Sequence, residues 1–238
     1  MQIRSAALTD IGKVRRRNED RFVLDDALRL YGVADGIGGL PHGAEAAQLA
    51  VTHLRDAIAA TPHDSLPDLA ALTQRINKAV CRLADELSPL GMGATLTYAL
   101  VRDGALHLAH VGDSRCYLLR DKKLATLTTD HTVENEVRAS RAAGRMMFYD
   151  EAQRKALVRC IGQREPLVVD ISQHPLRPGD RCLFCTDGID KVVDEAELVV
   201  LLDTGGEPES ILRALIALAN ERGGGDNATG VLVFVDAA

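Results

Sequence analysis

Five short acidic corners hold the residues of this 238-residue chain best suited to chemistry: RRRNEDRF with Glu19 and Asp20, YGVADGIGG with Asp35, AHVGDSR with Asp113, CLFCTDGI with Asp187, and GGGDNATGVLVF with Asp226. Asp35, Asp113 and Asp187 lie where an apolar, strand-like run ends, whereas Asp20 and Asp226 lie just before one begins. Asp-Gly and Asp-Asn are ordinary turn dipeptides, so each corner alone reads as a turn. Together they say more. If these strand ends share one end of a sheet, Asp20, Asp35, Asp187 and Asp226 gather four negative charges. Like charges about 4 Å apart repel by about 4 kcal/mol per pair at an effective dielectric near 20, so the cluster requires protons or cations. Two divalent ions would neutralise the four carboxylates. Carboxylates, water and, if it faces the cluster, the Gly36 carbonyl are hard oxygen ligands, which favour Mg²⁺ or Mn²⁺ over Zn²⁺. Two such ions about 3.5–4 Å apart can bridge a water, lower its pKa and hold it in line with a phosphorus atom, which is phosphate-ester hydrolysis without a protein nucleophile. Arg15, Arg16 and Arg17 sit just before Asp20, and a bidentate guanidinium fits phosphate oxygens, although Arg16 and Arg17 read more simply as a solvated basic turn.

Positioning these corners falls to blocks of strands and blocks of helices. Short β-type runs are expected at Gln2–Ala7, Arg21–Leu24 and Leu28–Ala34. Apolar residues recur at helical spacing from Gly43 to Ala60, stopped by Thr61-Pro62, and from Leu66 to Leu87, stopped near Ser88-Pro89. Strands return at Ala94–Arg102, Ala105–Val111, Cys116–Arg120 and Leu124–Leu127. The turns Asp103-Gly104 and Asp121-Lys122 between them are short enough to force antiparallel hairpins. Between Asp130 and Gly162 the chain is polar and Arg-rich, a helical segment suited to a mobile flap. Met146 to Tyr149 in its middle serve either to pack that flap or to dock a partner. Strands at Leu167–Gln173 and Arg181–Cys185, helices at Glu195–Leu202 and Pro208–Arg222, and a strand at Thr229–Val235 complete the chain. Strands and helices in separate blocks predict an α+β fold around a mostly antiparallel core.

Composition narrows the partners. Lys plus Arg total 28 against 34 Asp plus Glu, and a net charge of −6 suits neither DNA nor RNA, so no nucleic acid is expected. No apolar run approaches the roughly 18–20 residues of a membrane span and the start lacks the apolar core of a signal peptide, so no membrane association is expected and the chain reads as cytoplasmic. The five cysteines have no framework spacing and read as reduced thiols. Other motifs mislead. GIGGLPHG places Pro41 where a dinucleotide loop needs its third glycine. Cys182 and Cys185 lie three apart on a strand and face opposite ways. Ser114 precedes another strand, where a nucleophile elbow would need a helix. The seven histidines lack ligand spacing, and His107 and His110, on a strand, read as packed.

In order, RRRNED (as RxxNED), DGIGG, GATLT, GDSR, LTTDHT, TDGI and GGGDNAT resemble the metal-dependent Ser/Thr protein phosphatases, protein phosphatase type 2C, in their compact bacterial form, from about Leu8 to Val235. The resemblance implies an αββα sandwich of two mostly antiparallel sheets flanked by helix pairs, as one catalytic domain over residues 1–238 with a helical flap at about 130–162. It implies two Mn²⁺ or Mg²⁺ ions, one held by Asp35, Asp187 and Asp226, the other by Asp20, Asp35 and the Gly36 carbonyl. Glu19 is then a further ligand or a hydrogen-bond acceptor behind them, and Asp113 the ligand of a weaker third ion. Arg15 becomes the clamp on the substrate phosphate and, with Asp35, a catalytic residue; Ser114 and Arg115 are structural. The implied activity is hydrolysis of phosphoserine and phosphothreonine in a phosphorylated protein by metal-bridged water, with no phosphoenzyme, by a monomer opposing a bacterial Ser/Thr kinase. The alternative is a catalytically weak phosphoprotein-binding or scaffold module of the same fold, which would be expected to have lost Asp20, Asp35, Asp187 or Asp226; all four are present. Two departures stand out. Leu40 and Ala44 occupy the His and Glu positions of the DGMGGHxxGE pattern, with His42 and Glu45 displaced along the loop. Lys191 stands four residues after Asp187, where the family pattern has its second acid, with Asp190 one residue earlier, so a poor third-ion site is expected.

Overall fold

Strands buried on both faces read as continuous apolar runs, and the parity of each residue decides which core it joins. A computed structural model describes every residue except Asp64, Pro89, Glu165 and Ala238, so the helix stop at Ser88-Pro89 lies partly outside the described residues. Its strands are β1 (Gln2–Asp10), β2 (Arg21–Asp25), β3 (Leu30–Ala34), β4 (Leu96–Arg102), β5 (Ala105–Val111), β6 (Arg115–Arg120), β7 (Lys123–Thr126), β8 (Asp170–Pro175), β9 (Arg181–Cys185) and β10 (Ala228–Asp236). The helices are α1 (Gly43–Ala59), α2 (Leu69–Leu87), α3 (Val133–Ala142), α4 (Asp187–Asp190), α5 (Glu195–Leu202) and α6 (Pro208–Glu221). Two five-stranded sheets result, ordered β1-β10-β9-β6-β7 and β2-β3-β4-β5-β8, and every pairing is antiparallel.

Three apolar layers follow from the alternation. Tyr31, Val33, Ala99 and Leu108 of one sheet meet Cys116, Cys182, Phe184 and Val231 of the other in the middle layer. Their sequence neighbours turn outward. Leu30, Leu96, Tyr98 and Val111 pack under α1 and α2, while Tyr117, Leu183, Cys185 and Leu232 pack under α5 and α6. This is the expected αββα sandwich, and Cys182 and Cys185 fall into different layers.

Local chemistry sets the helix starts. Asp68 accepts the Ala71 N–H at 2.9 Å, so α2 begins at Leu69 rather than Leu66. A capping box joins Asp194 and Glu197 at α5, and Pro208 opens α6. The expected strand at Leu167–Gln173 is displaced to Asp170–Pro175, because β5 supplies partners only from His110 opposite Asp170 to Ala105 opposite Pro175. Leu167 instead joins the layer under α2. The 130–162 segment is less helical than expected: α3 ends before Gly144, whose φ of +72° suits a helix stop, and only a 3-10 turn at Glu151–Gln153 follows. Among the described residues no helix is long and apolar enough to cross a membrane.

Candidate metal centre

Strand register gathers the acidic corners at one end of both sheets. Arg21 pairs with Ala34, which sets Glu19 and Asp20, ahead of β2, beside Asp35, just beyond β3. Val33 pairs with Thr97 and Leu96 with Val111, which carries the turn of Asp113 to the same end. In the other sheet Gly230 pairs with Cys185, so Asp226 before β10 and Asp187 after β9 also meet. Arg15, Glu19, Asp35, Gly36, Asp113, Asp187 and Asp226 line one cleft of about 500 Å³, joined by Lys155 and Lys191. Asp20 is buried beneath it, 2% exposed.

Side-chain amides and hydroxyls that no motif argument singled out hold this end together. The Asn227 amide oxygen accepts the Glu19 N–H at 2.8 Å, and its nitrogen donates to the carbonyls of Ile11 at 2.9 Å and Arg17 at 3.0 Å, fastening the RxxNED loop to the GGGDNAT loop. Thr186 donates to Asp20 Oδ2 at 2.8 Å. Thr95 Oγ1 accepts the Asp35 N–H at 2.9 Å and lies 2.7 Å from Ser114 Oγ, tying the Asp35 and Asp113 turns together. The one signal for these residues was their place inside the motifs GATLT, TDGI and GGGDNAT. Two glycines permit close approaches: a Cβ on Gly38 would lie 2.8 Å from Arg15 Nη1, and one on Gly188 would lie 1.9 Å from the Asn227 carbonyl oxygen.

The electrostatics are those of a cation site. Burial, then Asp20, Asp187, Asp113 and Asp226, push the Asp35 pKa well above the ordinary carboxylate range. Burial pushes Asp20 up to about 6, and burial with Asp187 pushes Asp113 up to about 6. Burial also raises Glu19. Asp20 Oδ1 is buried with no hydrogen-bond partner among the described residues. An unpartnered carboxylate oxygen surrounded by further carboxylates fits a hard divalent cation. As they stand, no three of these groups among the described residues converge at ligating geometry. Asp226 Oδ2 is held by Arg15 at 2.7 Å, and Asp187 pairs with Lys191.

The two sequence departures have structural outcomes. Leu40 lines the cleft and His42 does not; His42 precedes α1 in a left-handed conformation, its Nδ1 3.6 Å from Glu45 Oε1. Asp190 does not replace the missing acid, for its carboxylate turns away to Arg115 Nη1 at 3.0 Å. Arg115 also holds Asp130 through two bonds of 2.8 and 2.7 Å, and Ser114 is committed to Thr95, in keeping with structural roles for both. Lys191 therefore places a cation in the cleft that Asp113 also lines.

Residues 13–212 match the family model described as Protein phosphatase 2C. The chain is 32% identical over 234 residues to the Serine/threonine phosphatase stp of Listeria innocua, covering 94% of this chain and 93% of that protein. It is 36% identical over 236 residues to the Serine/threonine protein phosphatase PstP of Mycobacterium tuberculosis, covering 98% of this chain and 45% of that protein. Two solved structures are similar throughout. One is PppA, described as a key regulatory component of T6SS in Pseudomonas aeruginosa, with 30% identity, a TM-score of 0.86 and 98% of each chain covered. The other is the catalytic domain of PstP in complex with 2 manganese ions, with 33% identity, a TM-score of 0.84 and 99% of each chain covered.

Proposed function

The chain belongs to the protein phosphatase 2C family, and from that premise we propose that it removes phosphate from phosphoserine and phosphothreonine of proteins in a metal-dependent hydrolysis. The carrying observation is the convergence of Glu19, Asp35, Asp113, Asp187 and Asp226 on one cleft, with the unpartnered oxygen of Asp20 below and a guanidinium, Arg15, at the same opening. Glu19, Asp20, Asp35, Asp187, Asp226 and the Gly36 carbonyl would hold two hard divalent cations, Mn²⁺ or Mg²⁺. When bound, such a pair neutralises the carboxylates and supplies an activated water and a Lewis-acid hold on phosphate oxygens.

The chain's own residues do the rest. Arg15 lies against Gly38 with its Nη2 on Asp226; with that carboxylate turned to a cation, the guanidinium would be free to hold phosphate oxygens and orient the ester. Thr186, Thr95 and Asn227 keep the acidic loops in place, so that cation binding requires the Asp226 and Asp187 side chains to leave Arg15 and Lys191 while the loop backbones stay anchored. We assign the whole of residues 1–238 to one catalytic domain with a flap at 130–162, acting as a monomer on phosphorylated proteins and opposing a Ser/Thr kinase. Five free thiols support a reducing, cytoplasmic setting. The scaffold reading is not favoured, because no carboxylate of the set has been lost.

The protein with Mn²⁺ should hydrolyse p-nitrophenyl phosphate and a phosphothreonine peptide, EDTA should stop both, and Asp35→Asn should lower kcat by about a thousandfold or more. Activity that survives chelation would rule out the metal-dependent reading.

A further inference from the structure

We propose that the outward face of α3 and the loop after it, carrying Arg138, Arg141 and Arg145, is a docking surface for an acidic segment of the phosphoprotein substrate. The proposal rests on the phosphatase reading and names the sequence class it acts on. From Arg138 to Tyr149 there are three arginines and no carboxylate, in a chain of net charge −6. Arg138 and Arg141, three apart, share one face of α3 with Glu134, whose charge is taken up by Lys155, and Arg145 follows in the loop beyond Gly144. All three arginines are exposed, and none makes an ion pair among the described residues. Their neighbours in the same segment behave differently. Arg154 pairs with Glu151 at 3.3 Å, Lys155 with Glu134 at 3.1 Å and Arg159 with Asp170 at 2.9 Å. Within this segment the unpaired cations are thus confined to one patch, and Met146 (82% exposed) and Phe148 (87%) flank it with apolar surface.

The patch is continuous with the rim of the cleft. The N–H groups of Val133 and Glu134 donate to the carbonyls of Ala156 and Arg154 at 3.0 and 2.9 Å, and Lys155, Ala156 and Leu157 line the cleft itself. At 1.5 Å of rise per residue, Arg138 and Arg141 lie about 6 and 10 Å along α3 from Glu134. A peptide extended at about 3.3 Å per residue would cover those distances in about two to three residues beyond the rim. Charge complementarity selects Asp and Glu at those positions, and the exposed apolar flank favours a neighbouring aliphatic or aromatic residue that would cover it.

Two phosphothreonine peptides of the same core, one flanked by Glu and Asp and the other by Lys and Arg, test this directly. The wild-type protein should prefer the acidic peptide by about tenfold in kcat/KM, the sum of a few exposed ion pairs, and added salt should erode the preference. Combined Arg138→Gln, Arg141→Gln and Arg145→Gln should abolish it, and the corresponding Glu substitutions should reverse it, with p-nitrophenyl phosphate turnover unchanged. Equal kcat/KM for the two peptides, or a preference that survives the Gln substitutions, overturns the proposal. So does a change in sedimentation or in binding to anionic vesicles with the peptide preference intact, since a second copy or a lipid surface would then be the occupant. Wild-type turnover of p-nitrophenyl phosphate reports on the phosphatase reading separately.

Discussion

Asp20→Asn should stabilise the metal-free protein while removing its ability to be stabilised by metal. The carboxyl is buried, one oxygen has no hydrogen-bond partner, and burial is the largest cause of a pKa pushed from 3.8 up to about 6. At 1.36 kcal/mol per pH unit that displacement corresponds to about 3 kcal/mol lost from the folded state once the group ionises. Because folding raises this pKa, the stability associated with the proton is fully present below 3.8 and is lost as the pH rises through about 6. An amide keeps the hydrogen bond from Thr186 and carries no charge toward Asp35 and Asp187. In EDTA at neutral pH the substitution should therefore raise Tm by roughly 6–12 °C, at about 2–4 °C per kcal/mol for a domain of this size. Near pH 4 most of that gain should vanish, because the wild-type carboxyl is then protonated when folded. With Mn²⁺ the order should invert, since binding to the folded state stabilises only the protein that retains its ligand set. Thermal unfolding of both proteins at pH 4 and pH 7.5, with EDTA and with Mn²⁺, reads all of these. A variant no more stable than wild type in EDTA at pH 7.5, or one equally stabilised at both pH values, would refute the electrostatic reasoning.

Arg15→Ala should raise KM for a phosphopeptide more than it lowers kcat, because a clamp on the ground-state phosphate contributes largely uniform binding; steady-state kinetics showing a large fall in kcat at unchanged KM would contradict the clamp. With Lys191 on Asp187 and Asp190 committed to Arg115, an Mn²⁺ titration should load two ions per chain with high affinity and a third weakly or not at all. Full crystallographic occupancy beside Asp113 at low Mn²⁺ would defeat that expectation.

Much of the architecture was legible because its causes are local. The apolar runs Leu28–Ala34, Ala94–Arg102 and Thr229–Val235 already read as strands, and Asp103-Gly104 and Asp121-Lys122 already require hairpins, whereas the core that each side chain joins is set by the pairing of the sheets. Element ends were less legible where a partner decides them, as with β8, or where a cap does, as with Asp68 at α2. The 130–162 segment is less helical than its composition suggests, for only ten residues of it, Val133–Ala142, form an α-helix.

The acidic corners and their turn chemistry were determined by residue type and short spacing, which no tertiary contact can alter; the need for a compensating cation arises only where the corners meet. Only the folded chain decides that Asn227 fastens the loop of Glu19 across a sequence separation of 208 residues. The same holds for Asp190, which serves Arg115 rather than the cleft. Those outcomes depend on the register of strands remote from one another in the chain. A one-residue slip there would reverse which side chains face the cleft, so the pairing of whole sheets, and no local signal, fixes which charges meet.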